Sequence, residues 1–107
     1  MSTVRESFEN MPQSFQPEAA EGLDVTYQFN ITGEGGGKWY AQISEGQLDV
    51  VEGQQDEPNV IISMQADDYV NMVNGKLPGQ IAFMTGKLKV KGDLALAYKM
   101  KNIFKQG

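Results

Sequence analysis

Ile81-Ala82-Phe83-Met84-Thr85-Gly86-Lys87-Leu88-Lys89-Val90-Lys91-Gly92-Asp93 is the stretch that decides how this chain folds. Pro78 starts an apolar helical turn through Met84, and Gly86 stops it, glycine being the usual residue for the left-handed conformation after a helix. Lys87 to Lys91 then alternates, with Leu88 and Val90 on one face and three lysines on the other, the period of a half-buried strand. Gly92 breaks the alternation, and Asp93 stands where the N-cap of a last helix belongs. The segment carries no obvious catalytic group. What it builds is a wall of apolar side chains.

The last helix is expected to run to about Phe104. Leu96, Ala97, Met100, Ile103 and Phe104 fall within an arc of roughly 120° at about 100° per residue, which makes them its buried stripe. Leu94 and Tyr98 lie outside that arc, beside Lys101 and Lys105.

Upstream, Val60-Ile61-Ile62-Ser63-Met64 is apolar on both faces over most of its length, which predicts a central strand covered on both sides. Asp67-Asp68 places negative charge in the first turn of a following helix, where the dipole favours it. Tyr69, Val70 and Val73 supply its buried side and Gly75 ends it. Earlier still, Val25, Tyr27, Phe29 and Ile31 alternate with polar residues, and Trp39, Ala41 and Ile43 do the same after the turn Gly33 to Gly37. Glu45-Gly46 turns the chain again into a short strand around Leu48 and Val50, and a polar loop runs from Gly53 to Asn59. The three strands form an antiparallel meander.

At the start, Val4, Phe8, Met11 and Phe15 mark one face of a helix with a capping box at Thr3-x-x-Glu6. Pro12 falls inside that pattern and predicts an end or kink near Asn10 or Met11. Pro17 opens a short second turn that stops at Gly22. The order of elements is that of a single α+β domain.

Composition narrows the chemistry. The chain has no histidine and no cysteine, so thiolate nucleophiles, histidine bases, disulfides and Cys/His metal sites are impossible. Net charge is −5 and is split unevenly. Residues 1–80 carry three basic groups against thirteen acids, a balance of −10, while residues 81–107 carry six lysines against Asp93, a balance of +5. Such a basic patch on an acidic body is either a solvated face or a docking surface for anionic lipid headgroups. Nucleic acid is not expected as a partner, because the pI is ≈ 4.6 and the patch contains no arginine. The N-terminus lacks the basic-then-apolar order of a secretory leader and the C-terminus is not Ser-Lys-Leu, so the expected location is the cytoplasm.

Other candidate sites have plainer explanations. Gly33 to Lys38 is one residue short of a phosphate loop, and Trp39 stands where a magnesium-binding Ser or Thr would be, so it is a hairpin turn. Asp67-Asp68 and Asp56-Glu57 are adjacent acids, not carboxylates facing each other across a cleft. Lys87, Lys89 and Lys91 either protect a sheet edge or attract headgroups. Met64, Met72, Met84 and Met100 are either core filler or adaptable contacts for varied apolar ligands, with Met72 expected to face outward.

The run Ala82-Phe83-Met84-x-Gly86-Lys87-Leu88-Lys89, followed by Gly92-Asp93-x-x-Leu96-Ala97-x-Lys99, resembles the signature of the sterol carrier protein 2 family of non-specific lipid-transfer proteins. Gly75-Lys76-Leu77 also matches family positions. The likeness is specific from about Val60 to Phe104 and follows element order elsewhere. It implies a five-stranded, mostly antiparallel sheet covered on one face by helices, with a hydrophobic tunnel between.

The function implied is non-catalytic carriage of a fatty acid, fatty acyl-CoA, sterol or similar apolar lipid, with no cofactor. Related domains are fused to dehydrogenases, thiolases or acetyltransferases, so a module presenting substrate to a separate enzyme is the alternative. The expected lipid contacts are Phe29, Trp39, Ile62, Met64, Val70, Val73, Ile81, Phe83, Met84, Leu88, Val90, Leu96, Met100, Ile103 and Phe104. Lys99, Lys101 and Lys105 are the expected headgroup contacts in a transient anionic-membrane encounter, and the last helix is the expected lid, hinged at Gly92. A ligand site of ~300 Å³ left empty costs about 7 kcal/mol. The domain is therefore expected either to carry lipid or to collapse partly without it.

Overall fold

β-branched and aromatic residues at alternate positions make Asp24–Thr32 the longest strand, β1, and the sheet is built around it. The computed structural model describes residues 3–104. β2 (Gly37–Ser44) and β3 (Gln47–Glu52) complete the expected antiparallel meander, with Val25 opposite Ile43 and Ile43 opposite Leu48. β4 (Val60–Gln65) pairs parallel with β1, Phe29 lying opposite Ile62, and β5 (Lys89–Gly92) closes the edge antiparallel to β4. The order is β3-β2-β1-β4-β5.

Register places Val25, Tyr27, Phe29, Ile31, Trp39, Ala41, Ile43, Val60, Ile62 and Met64 on one face, and all are buried. The helices α1 (Val4–Ser14), α2 (Ala66–Val73) and α4 (Leu94–Ile103) cover it, and a short helix α3 (Gly79–Met84) rests on α2. Phe8 of α1 is fully buried: its ring stacks near-parallel on Trp39 at 5.0 Å and on Tyr69 at 5.2 Å, and meets Phe29 edge-on at 5.1 Å. Tyr27 Oη donates to the carbonyl of Leu96 at 2.8 Å, fixing α4 from below.

The other face is mostly polar, yet Gln28 on it is only 1% exposed. The β3–β4 connection crosses β1 there. Gln28 Nε2 donates to the carbonyls of Trp39 and Gly53, both at 3.1 Å, and its Oε1 accepts from the Gln55 N–H at 2.8 Å. Asn59 finishes the crossing, accepting at Oδ1 from the Thr26 N–H and donating its own N–H to the Thr26 carbonyl. These bonds hold the loop to β1 and set the parallel register of β4.

Several expectations need correction. α1 does not stop near Met11 but continues through Pro12 to Ser14. Pro12 lies in the last turn, where its missing donor removes little, and its carbonyl still accepts from the Phe15 N–H. The Thr3–Glu6 capping box forms as expected. β4 is central, but only its helix face is fully covered; Ile61 and Ser63 are half-buried. β5 begins at Lys89, because the N–H groups of Lys87 and Leu88 both turn back to the Ala82 carbonyl at the end of α3. Met72 is half-buried against the core rather than outward, near Gly79.

Two predictions follow from these contacts. Gln28→Leu leaves the Gly53 carbonyl and the Gln55 N–H without their side-chain partner under the crossing loop. It is expected to lower stability by about 2–4 kcal/mol in urea denaturation; a loss below about 0.5 kcal/mol would show that water replaces the clamp. The second concerns alkaline pH. Burial pushes the Tyr27 phenol up to about 12, with a smaller push from Asp93. Burial likewise pushes Tyr69 up to about 12, against a hydrogen bond from Ser7. Below pH 10 both phenols are protonated folded or unfolded, and their contribution to stability is complete. Between pH 10 and about 12 the unfolded chain releases protons that the folded chain retains, so stability falls as pH rises. Ultraviolet titration should find two of the four tyrosines ionising only together with unfolding. Ionisation of all four before the circular dichroism changes would refute this.

Candidate functional site

The helix-bearing face of the sheet is covered unequally. Over β1 and β2 the aromatic stack of Phe8 fills the space, and Phe29 and Trp39 are 2% and 6% exposed, while Leu48 and Val50 of β3 are half-buried. Over β4 and β5 the floor is Ile62 and Met64, both buried, with Val90 of β5 opposite Ile62. The side chains around it are large and apolar but only half-buried: Val70 and Val73 of α2, Leu88 and Val90, and Leu96 and Met100 of α4.

α3 has the reverse of the usual helix burial. It buries Ala82, its smallest apolar side chain, and exposes Ile81 (50%), Phe83 (50%) and Met84 (75%). The turn that ties Lys87 and Leu88 to the Ala82 carbonyl draws the alanine inward and leaves the larger side chains out. Leu94 and Tyr98 of α4 are exposed as expected.

The expected lipid contacts thus divide three ways. Ile62 and Met64 form a floor, and Val70, Val73, Leu88, Val90, Leu96 and Met100 lie half-covered around it. Phe29 and Trp39 are sealed under Phe8, while Ile103 and Phe104 are buried at the far end of α4. Ile81, Phe83 and Met84 face solvent.

α4 is fastened at both ends. At its start, Asp93 Oδ1 accepts from the Leu96 N–H, and the Asp93 N–H donates to the Asn59 carbonyl. Gly92 is held at φ +103°, where a Cβ would lie 2.4 Å from the Asn59 carbonyl oxygen; only glycine permits that approach. At its end, the Ile103 carbonyl accepts from the Gln16 N–H at 2.7 Å, and Phe104 bridges to Phe15. Gly92 is therefore pinned as a sheet residue opposite Val60 and is not free to act as the expected hinge.

The lysines are split between two faces. Lys89 and Lys91 lie opposite Ser63 and Ile61, on the side of the sheet away from the helices. Lys99 and Lys101 are exposed on α4, and Lys105 is outside the described residues. Lys101 Nζ donates to Tyr98 Oη at 2.8 Å and lies 4.1 Å from the ring centroid, and this hydrogen bond draws the Tyr98 phenol below its ordinary value.

Two open clefts lie elsewhere. One is lined by Pro17, Glu18, Glu21, Gly22, Glu45 and Gly46, the other by Thr32, Gly33, Glu34, Gln65, Ala66 and Asp67. Neither contains an expected contact, and neither is the tunnel that the resemblance implies. Among the described residues no group of three or more acids could hold a metal ion, and no helix is long and apolar enough to cross a membrane. The Gln28 clamp and the Phe8 stack do not follow from the sequence pattern, because Gln28 sits between Thr26 and Asn30 as an ordinary member of the polar face of β1.

Comparison with known proteins agrees with this geometry. The hydroxysteroid dehydrogenase-like protein 2 of Bos taurus is 36% identical over 104 residues, covering 96% of this chain and 25% of that protein. The chain therefore spans about a quarter of the length of this curated relative. Among solved structures, the sterol carrier protein domain 2 of Helicoverpa armigera superposes with TM-score 0.77 at 26% identity, over 92% of this chain and 83% of that one. Palmitated SCP2L2 from Aedes aegypti shares the fold with TM-score 0.77 at 22% identity, over 95% and 94% of the two chains. The SCP-2 sterol transfer family matches residues 8–105, and with the five-stranded sheet and its one-sided helical cover in place, this chain belongs to that family.

Proposed function

We propose that this domain is a lipid carrier that holds a fatty acid, fatty acyl-CoA or sterol-like molecule between α4, α2 and the β4–β5 half of the sheet, with no reaction of its own. One observation carries the proposal: Val70, Val73, Leu88, Val90, Leu96 and Met100, all large and apolar, converge from α2, β5 and α4 on the buried floor of Ile62 and Met64 and are left half-covered. A domain built only for stability gains by covering such residues, at about 25 cal/mol per Å². The absence of histidine and cysteine also favours binding over catalysis. Membership of a sterol transfer family and the palmitated state named for the Aedes aegypti fold neighbour support an aliphatic guest.

Energetics set the character of the site. Burying an acyl chain of ~16 carbons releases about 12 kcal/mol at ~0.8 kcal/mol per methylene. Association and ordering remove ~4–15 kcal/mol, which leaves affinity of about micromolar order. The guest must also part the helices from the floor of Ile62 and Met64. Because α4 is fastened at both ends, the movable parts are its middle and α3 rather than a swing about Gly92. A second reading rests on the relative's length. A domain spanning about a quarter of a dehydrogenase-like protein fits a module that presents substrate to a separate enzyme. Co-purification of an enzyme partner would favour that role.

Native mass spectrometry of freshly purified protein should show a lipid adduct. In delipidated protein, palmitate at ~100 times its Kd should stabilise by about 2.7 kcal/mol, a rise in Tm of about 10 °C. Val90→Asp and Met100→Asp are each expected to remove that shift while the variants still unfold cooperatively. Wild-type protein with no adduct and no shift at saturating palmitate would refute the carrier.

A further inference from the structure

We propose that the outward apolar side chains of α3 and α4 form the face by which this domain enters an anionic lipid bilayer. This deepens the carrier reading by supplying the surface from which lipid is taken, and it rests on that reading for its purpose but not for its test. Six large apolar residues are exposed among those described, and five of them lie on these two short helices: Ile81, Phe83 and Met84 on α3, Leu94 and Tyr98 on α4. Met84 precedes and Leu94 follows β5, whose four residues span about 13 Å, so the two sets flank one edge of the sheet. Single exposed apolar residues are ordinary, but five of six gathered on two short helices mark a surface for an apolar partner.

Charge identifies the occupant. Residues 1–80 have a balance of −10, and although Lys89 and Lys91 of the +5 segment face away across the sheet, basic groups accompany the apolar ones on α4 and after α3. Lys99 and Lys101 lie on the same helix as Leu94 and Tyr98, and Lys87 follows Met84 by three residues. A second copy would bring one basic face against another. An anionic bilayer instead attracts this face, repels the acidic remainder and so turns the domain into a single orientation. The Tyr98 ring with Lys101 over it has the character of an interfacial anchor, an apolar body with a cation at its wet end.

The test is flotation with vesicles of phosphatidylcholine alone and of phosphatidylcholine with phosphatidylserine at three parts in ten. Wild-type protein should float with the anionic vesicles, more weakly as salt rises, and stay off the neutral ones. Replacing both lysines (Lys99→Gln with Lys101→Gln) should weaken binding about thirtyfold. Replacing both apolar tips (Phe83→Ser with Met84→Ser) should weaken it about tenfold. Because these side chains are exposed, thermal melting should show both doubly substituted proteins folded. Wild-type protein that stays off anionic vesicles overturns the proposal, as does undiminished binding by either variant. Concentration-dependent dimerisation that the apolar substitutions abolish would assign the face to a second copy and overturn it too. Palmitate uptake in vesicle-free buffer separates the two ideas. Uptake without vesicle binding sinks the membrane face alone, and vesicle binding without uptake sinks the carrier alone.

Discussion

The ring of Phe8, stacked on Trp39 and Tyr69 and edged by Phe29, is the contact on which the rest of the molecule depends. It joins α1, α2 and the first two strands through a single fully buried side chain. Its position decides where the interior is full. The rings it touches are all buried, whereas the large side chains between α4, α2 and β5 are half-covered. On the far side of β1 the cover consists of the ten-residue α4, the six-residue α3 and the edge of α2, and the one fully buried ring these helices supply, Tyr69, points back to Phe8. On the carrier reading, the half that would be adjustable continues the half centred on Phe8 in one sheet.

The adjustable half is restrained rather than loose. α4 is tied through Asp93 to Asn59, through Leu96 to Tyr27 and through Ile103 to Gln16. Asn59 is also the residue that ends the crossing loop on β1, so the start of α4 and the register of β4 share one anchor. Each tie is a backbone or side-chain hydrogen bond of modest net worth, about 1 kcal/mol. Together they hold the helix in place, yet any one can be exchanged for contact with a guest. That balance lets a small domain without disulfides keep a defined shape while leaving apolar surface half-covered.

Much of this was legible in the sequence because strand alternation and helix punctuation are local. The meander, the existence of β4, the caps at Thr3 and Asp93 and the stops at Gly75 and Gly86 all follow from neighbours a few residues apart, whereas the parallel place of β4 beside β1 does not. The errors have physical causes of two kinds. Pro12 and the start of β5 were misjudged because a helix end tolerates a proline and because Lys87 was claimed by a turn back to Ala82. The Gln28 clamp and the Phe8 stack were missed because they join residues far apart in the chain, and alternation assigns Gln28 to a face without saying what crosses that face. For the site, composition identified the apolar residues but not their degree of cover. Phe29 and Phe83 look alike in sequence, yet one is sealed and the other stands in solvent.

The parallel pairing of β1 with β4 has a consequence for how the chain reaches this shape. β1 to β3 are joined by tight turns and can zip together from contacts between near neighbours, whereas β4 must travel past two strands before Gln28 can capture the connection. β5 and α4 depend in turn on β4. As the chain leaves the ribosome, the aromatic stack therefore also waits for Tyr69, and the strands beneath the adjustable half arrive last. The half of the sheet proposed to receive a guest is thus the half whose strand pairings close the longer loops of chain.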